Sequence, residues 1–184
     1  SVEELVYEDG TILRGLLGGL NMQADLAQTV ILRTGEEDFH HLLDDPQDVS
    51  KNYIDYGFLQ TNVSAVGTMF KLVDGEDFVR RTAYRPFPAG TLAAAFRYRD
   101  ELAGGERCLR IAFSGGRWAV ADADAAADVT VTCRQGDLAS LLMGSCQLEG
   151  MLRLGAASAD NGEAAQQLSR LLRYGQKPFL NSDY

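Results

Sequence analysis

Two hydrophobic periods run along this chain. Ile12, Leu13, Leu16, Leu17, Leu20 and Ala24 recur at helical spacing behind Asp9-Gly10-Thr11, which offers a turn and a capping carboxylate, so the spacing predicts a helix beginning there. Leu5 to Tyr7 and Thr29 to Arg33, with Val30 and Leu32 on one side, read as strands flanking it. Phe39, Leu42 and Leu43 mark a shorter helix stopped by Asp44-Asp45-Pro46. Such a unit buries too little apolar area to offset its chain entropy, and so reads as the tail of an α/β layer whose other strands lie upstream. Residues 46–66 show no period and read as a connection.

Beyond it the period shortens to two. Met69 to Asp74 alternates as a strand, and Asp74 is placed to cap a helix through Phe78, Val79 and Ala83 that ends before Pro86. Leu92, Ala94, Phe96 and Tyr98 share one strand face, as do Leu109, Ile111 and Phe113, Trp118 and Val120, and Val129, Val131 and Cys133. Ser114-Gly115-Gly116 is a hairpin turn. Together these predict a meander of about four antiparallel strands. Three helices follow: one capped by Asp137 and carrying Leu138, Leu141 and Leu142 to Gly144, one with Leu148, Met151 and Leu152, and one after Asn161 with Leu168, Leu171 and Leu172. The fold class expected is α+β, with a partial α/β segment at 1–66 and an antiparallel sheet with packed helices at 67–184.

Composition narrows the function. The 184 residues are 46% hydrophobic and carry a net charge of −9, with a pI near 4.7. That field opposes a nonspecific grip on nucleic acid or an anionic membrane and suits neutral or cationic partners. No apolar run approaches the ~18 residues of a bilayer span, and Ser1-Val2-Glu3-Glu4 lacks the basic start of a signal peptide, so a cytoplasmic protein is expected.

Cys108, Cys133 and Cys146 form no C-x-x-C pair and the chain has two histidines, so no metal site is expected. The cysteines read as small buried hydrophobes, although Cys108 and Cys133 fall on strands and could face each other. His40 and His41 sit side by side with no nucleophile elbow anywhere, and read as solvated. Gly15, Gly18 and Gly19 lie inside a helical pattern, whereas a phosphate cradle must precede its helix. Neither a P-loop, nor G-x-G-x-x-G, nor the acetyl-CoA signature [QR]-x-x-G-x-[GA] is present, so no cofactor site is expected. Arg80, Arg81, Arg85, Arg97, Arg99, Arg107 and Arg110 lack the interleaved aromatics of a base-stacking surface.

The order of features nevertheless resembles a known family. Gly67-Thr68-Met69-Phe70-Lys71-Leu72-Val73-Asp74, the short helix, the strands including that of Trp118, then Gly136-Asp137-Leu138-Ala139-Ser140-Leu141-Leu142-Met143-Gly144 and a terminal helix leading to Lys177-Pro178-Phe179 together resemble the C-terminal sterol-carrier-protein-like domain of Eis-type GNAT N-acetyltransferases. Gly15, Leu16 and Leu17 with Val30-Ile31-Leu32-Arg33 look like the end of the second GNAT-like domain of the same proteins. The resemblance implies an upstream acetyl-CoA-binding domain in the same protein, a small amine acceptor such as an aminoglycoside or a lysine side chain, and a homo-oligomer. It implies that the α-carboxylate of the last residue, here Tyr184, acts as a base, and it points to Phe179 and Trp118 as substrate contacts. This chain alone would then be inactive. The rival expectations are a lipid carrier, with Leu138, Leu141, Leu142, Met151 and Leu152 lining a cavity, and a non-catalytic assembly module.

Overall fold

The computed structural model describes residues 1, 2, 5–27, 29–48, 53, 54, 58–64, 70–101, 103–175, 177 and 178. The chain divides into two compact units, residues 1–68 with 179–184, and residues 69–178. Among the described residues no helix is long and apolar enough to cross a membrane.

In the first unit helix α1 spans Gly10–Asn21. The Asp9 carboxylate accepts from the N–H groups of Thr11 at 2.8 Å and Ile12 at 2.9 Å, satisfying donors that a helix start leaves orphaned. The apolar stripe of α1 is largely uncovered: Leu13 is buried, while Ile12 is 41% and Leu16 39% exposed. The expected flanking strands do not form. Leu5 to Tyr7 carries no strand, and Thr29 to Arg33 contributes a single parallel bridge, Val2 to Leu32, through the bonds Val2 N–H to the Ile31 carbonyl and Arg33 N–H to the Val2 carbonyl. Alternation makes a ladder only where a partner strand lies alongside. The Phe39–Leu42 helix is a single 3-10 turn, and the connection expected to be structureless carries two short antiparallel strands, β1 (Tyr53–Ile54) and β2 (Phe58–Leu59).

The second unit holds the core. Helix α2 (Gly75–Arg81) starts at Asp74, whose carboxylate accepts from the Asp77 N–H at 2.9 Å. Residues 70–74 form no strand; Leu72 alone is anchored, buried and with its carbonyl bonded by Gln135. The sheet comprises β3 (Leu92–Arg99), β4 (Glu106–Ser114), β5 (Arg117–Val120), β6 (Val129–Cys133) and β7 (Ala157–Ala159), in the order β5-β4-β3-β6-β7. Strands β3, β4 and β5 form the expected meander, with Gly115 and Gly116 at φ 57° and 72° in the two-residue turn between β4 and β5, as the hairpin requires.

Strand β6 departs from the expectation: it pairs parallel to β3, with Ala94 opposite Val129, so the sheet is mixed. Asp128 sets that register, its carboxylate accepting from the Ala93 N–H at 2.7 Å while its own N–H bonds the Ala93 carbonyl at 2.8 Å. Because β3 lies between β4 and β6 and successive residues alternate faces, Cys108 and Cys133 point to opposite sides and do not face each other.

Three helices cover one sheet face: α3 (Gln135–Met143), α4 (Leu148–Arg153) and α5 (Gly162–Leu171). Asp137 does not cap α3. The cap position is Arg134, and Asp137 lies in the first turn, ion-paired with the Arg134 guanidinium at 2.8 Å. Phe96, Ile111, Phe113, Trp118, Val131, Leu138, Leu141, Leu142 and Leu168 are each no more than 2% exposed and form one continuous core. Each such side chain contributes about 1.5–3 kcal/mol by leaving water.

Candidate functional site

Of the side chains singled out in the sequence, Trp118 is described and Phe179 and Tyr184 lie outside the described residues. Trp118 is 2% exposed. Its ring packs against Phe87, Phe78 and Phe113 at centroid distances of 4.7, 6.1 and 6.3 Å, and its indole N–H donates to the Thr82 carbonyl at 3.0 Å. A direct contact with substrate would need this ring uncovered, so in the second unit Trp118 is a packing residue.

Beside it lies a group that sequence reasoning did not bring together. The Leu142 carbonyl, in the last turn of α3, accepts from the Arg85 guanidinium at 3.2 Å and the Tyr174 hydroxyl at 3.1 Å. The guanidinium carbon stands 4.5 Å from the Tyr174 ring centroid and 5.9 Å from that of Trp118. A cation at the negative end of a helix and over an aromatic face is favoured on both counts. Burial pushes the Tyr174 phenol above its ordinary range, with Arg85 pulling the other way, so the hydroxyl remains a donor at neutral pH.

Among the described residues Gln135 is the buried polar side chain, 4% exposed. Its Oε1 accepts from the Glu101 N–H at 2.9 Å and its Nε2 donates to the Leu72 carbonyl at 3.1 Å, tying two loops to the start of α3. It forms part of the wall of a shallow hollow of about 180 Å³ with Phe70, Leu72 and Ala139. A second hollow, of about 290 Å³, lies on the opposite sheet face among Arg97, Thr130, Thr132, Ser158 and Asp160. There the Asp160 carboxyl is held below its usual range by bonds from Thr130, whose backbone N–H approaches to 2.7 Å. Neither hollow is lined by Leu138, Leu141, Leu142, Met151 or Leu152, which the structure packs into the core.

Nucleophilic chemistry finds little support. Burial, with Asp137 and Cys146 nearby, pushes the Cys133 thiol up to about 11, and burial likewise raises that of Cys146, whose sulfur lies 3.3 Å from the Met151 sulfur. Both are thiols at neutral pH. Cys108 is exposed rather than buried. His40 and His41 stack at 4.1 Å, and the buried Nδ1 of His40 has no hydrogen-bond partner among the described residues. No group of three or more potential metal ligands occurs among the described residues.

An acetyl-CoA cradle does not fit the described residues of the first unit. Gly15, Gly18 and Gly19 lie inside α1, where helical bonds engage the backbone, and the α1 start is capped by the Asp9 carboxylate, an acid where a pyrophosphate would have to sit.

Comparison with known structures supplies the relatives. A GCN5-related N-acetyltransferase from Kribbella flavida is similar at 15% identity and a TM-score of 0.57, over 99% of this chain and 43% of that one. Eis1 from Mycobacterium abscessus is similar at 20% identity and a TM-score of 0.46, over 61% and 27%. Apo sterol carrier protein 2 from Yarrowia lipolytica is similar at 12% identity and a TM-score of 0.35, over 53% and 72%. The chain thus spans less than half the length of the Kribbella flavida and Mycobacterium abscessus structures. No curated protein gives a significant match. A family model for the sterol carrier protein domain matches residues 76–181, more than half of the chain, and with an α+β unit of five strands and packed helices over that stretch, the chain belongs to the sterol carrier protein domain family.

Proposed function

We propose that this chain is the C-terminal portion of a cytoplasmic, oligomeric N-acetyltransferase, in which the sterol-carrier-like unit builds the substrate-side wall and the Tyr184 α-carboxylate serves as the base. The observation that carries this reading is the likeness of 99% of the chain to part of a GCN5-related N-acetyltransferase. The first unit supports it: among its described residues Leu13 alone is buried, with Val30 50% and Ile31 62% exposed, which leaves an apolar surface for an upstream domain to cover. Acetyl-CoA would be held by that domain.

The chain's own chemistry is then a proton transfer. An amine reaches the site as an ammonium and must lose a proton before its lone pair can attack. The Tyr184 carboxylate takes that proton and becomes a neutral carboxylic acid, and desolvation raises its affinity for it. Phe179 supplies an apolar contact to the acceptor, and Trp118 holds the wall from within the core. Amines of the aminoglycoside or lysine type are the proposed acceptors.

In the full-length gene product, removing Tyr184 is expected to lower kcat at least 100-fold with KM for acetyl-CoA unchanged, measured by coenzyme A release. Unchanged kcat would remove the carboxylate's role. An intact protein that acetylates no amine in a panel of aminoglycosides and lysine peptides would remove the whole reading.

Family membership favours a second reading, lipid carriage, and the packed leucines count against it. Displacement of a fluorescent fatty acid is expected to show no saturable binding to the 184-residue chain. A saturable site at micromolar concentration would bring the carrier forward.

A further inference from the structure

We propose that Arg85, Tyr174 and Gly144 form a latch that fixes where, and in which direction, the C-terminal tail leaves the second unit. Helix α5 and its cap end at Leu172, and Tyr174 is the last half-buried side chain among the described residues; Gly175, Lys177 and Pro178 are exposed. Everything that holds Tyr174 comes from elsewhere in the chain. Its hydroxyl and the Arg85 guanidinium share the Leu142 carbonyl, Arg85 lies over its ring, and Phe87 meets the ring edge at 6.2 Å. The ring also occupies a notch that only glycine leaves open. Gly144 sits at φ 90°, and a Cβ there would lie 2.5 Å from the Tyr174 ring.

The latch acts through direction and hardly through length. Counted along the sequence, ten residues follow Tyr174 and twelve follow the buried Leu172, so releasing Tyr174 changes the tether length by well under twofold. A fixed residue four positions before Pro178, whose own φ is restrained, instead aims the segment. Resting on the reading above, Arg85 and Tyr174 are then positioning residues for the terminal carboxylate, where a misplacement of about 1 Å can cost as much as 100-fold in rate.

The test on the 184-residue chain is trypsin cleavage after the exposed Arg173, followed alongside hydrogen exchange of β3 and β4. Arg85→Ala and Tyr174→Ala are each expected to raise the cleavage rate about tenfold or more with core exchange unchanged. The double variant should be no faster than either single one, as members of one latch require. Tyr174→Phe, which keeps the stack and loses the hydroxyl, should fall between. Unchanged cleavage, additive increases, or a rise that tracks core exchange would overturn the proposal. In the full-length enzyme Arg85→Ala should lower kcat about tenfold at constant KM, and have no further effect once Tyr184 is removed. If removing Tyr184 is harmless while cleavage responds as expected, the latch stands and the carboxylate's role as base falls.

Discussion

Alanine at position 118 is expected to destabilise the second unit by about 3–5 kcal/mol, the range for deleting a large aromatic from a packed core. The indole is enclosed by Phe78, Phe87 and Phe113, and its N–H donates to the Thr82 carbonyl, so the substitution opens a void and leaves that carbonyl with the Arg85 N–H as its remaining donor. Trp118→Phe keeps an aromatic ring in place and should cost about 1–3 kcal/mol, for the lost hydrogen bond and a smaller void. Trp118 is the sole tryptophan of the chain, so urea unfolding of the variants is followed by far-ultraviolet circular dichroism, while wild-type fluorescence reports this unit directly. A loss below about 1 kcal/mol for the alanine variant would mean that the ring is not a core element, and a direct contact with substrate would again be the better account of it.

The second large effect is expected at Gly144. Its backbone stands at φ 90° and ψ 12°, where an L side chain costs about 1–2 kcal/mol, and an added Cβ would meet the Tyr174 ring at 2.5 and 2.8 Å, where overpacking costs a further ~1–3 kcal/mol. Gly144→Ala should therefore lose about 2–5 kcal/mol in the same unfolding experiment. Gly155 provides the control: its φ is 72° but nothing lies within 4 Å of its Cβ position, so Gly155→Ala should show the backbone cost alone, about 1–2 kcal/mol. Equal losses at the two positions would show that Tyr174 does not press on Gly144. Combining Gly144→Ala with Tyr174→Ala should recover the contact part of the loss, because two residues in contact are not additive.

Both effects grow from chain segments that are distant in sequence, which is why the sequence shows the residues and not their roles. Trp118 is legible as a strand residue facing the same way as Val120, and Gly144 as the end of a helix. Nothing in the spacing of Arg85, Leu142 and Tyr174 announces that one carbonyl serves two donors, 57 and 32 residues away. Gln135 is equally silent: a polar residue at a helix start reads as solvated until the loops carrying Glu101 and Leu72 close over it. As for the proposed site, Tyr184 and Phe179 came from a family resemblance, and periodicity had no bearing on them.

What the sequence determined by itself is the part of the fold whose interactions close within a few residues. Asp9, Asp74 and Asn161 cap the helices they precede because each carboxylate or amide oxygen reaches an N–H two or three positions ahead. The Gly115-Gly116 turn joins β4 to β5 because adjacent glycines accept the backbone that a tight hairpin demands. The α+β class followed from those elements in order. The tertiary structure decided what depends on a partner. Ala157-Ser158-Ala159 has no strand propensity to speak of and becomes β7 because the free edge of β6 offers it a ladder. Among the described residues the more strand-like Thr29 to Arg33 meets Val2 in a single bridge. Strand β6 runs parallel to β3, where the Asp128 carboxylate meets the Ala93 N–H from 35 residues away. A backbone hydrogen bond across a sheet needs a second segment in register, and a pattern local to one segment carries no information about which other segment will be there.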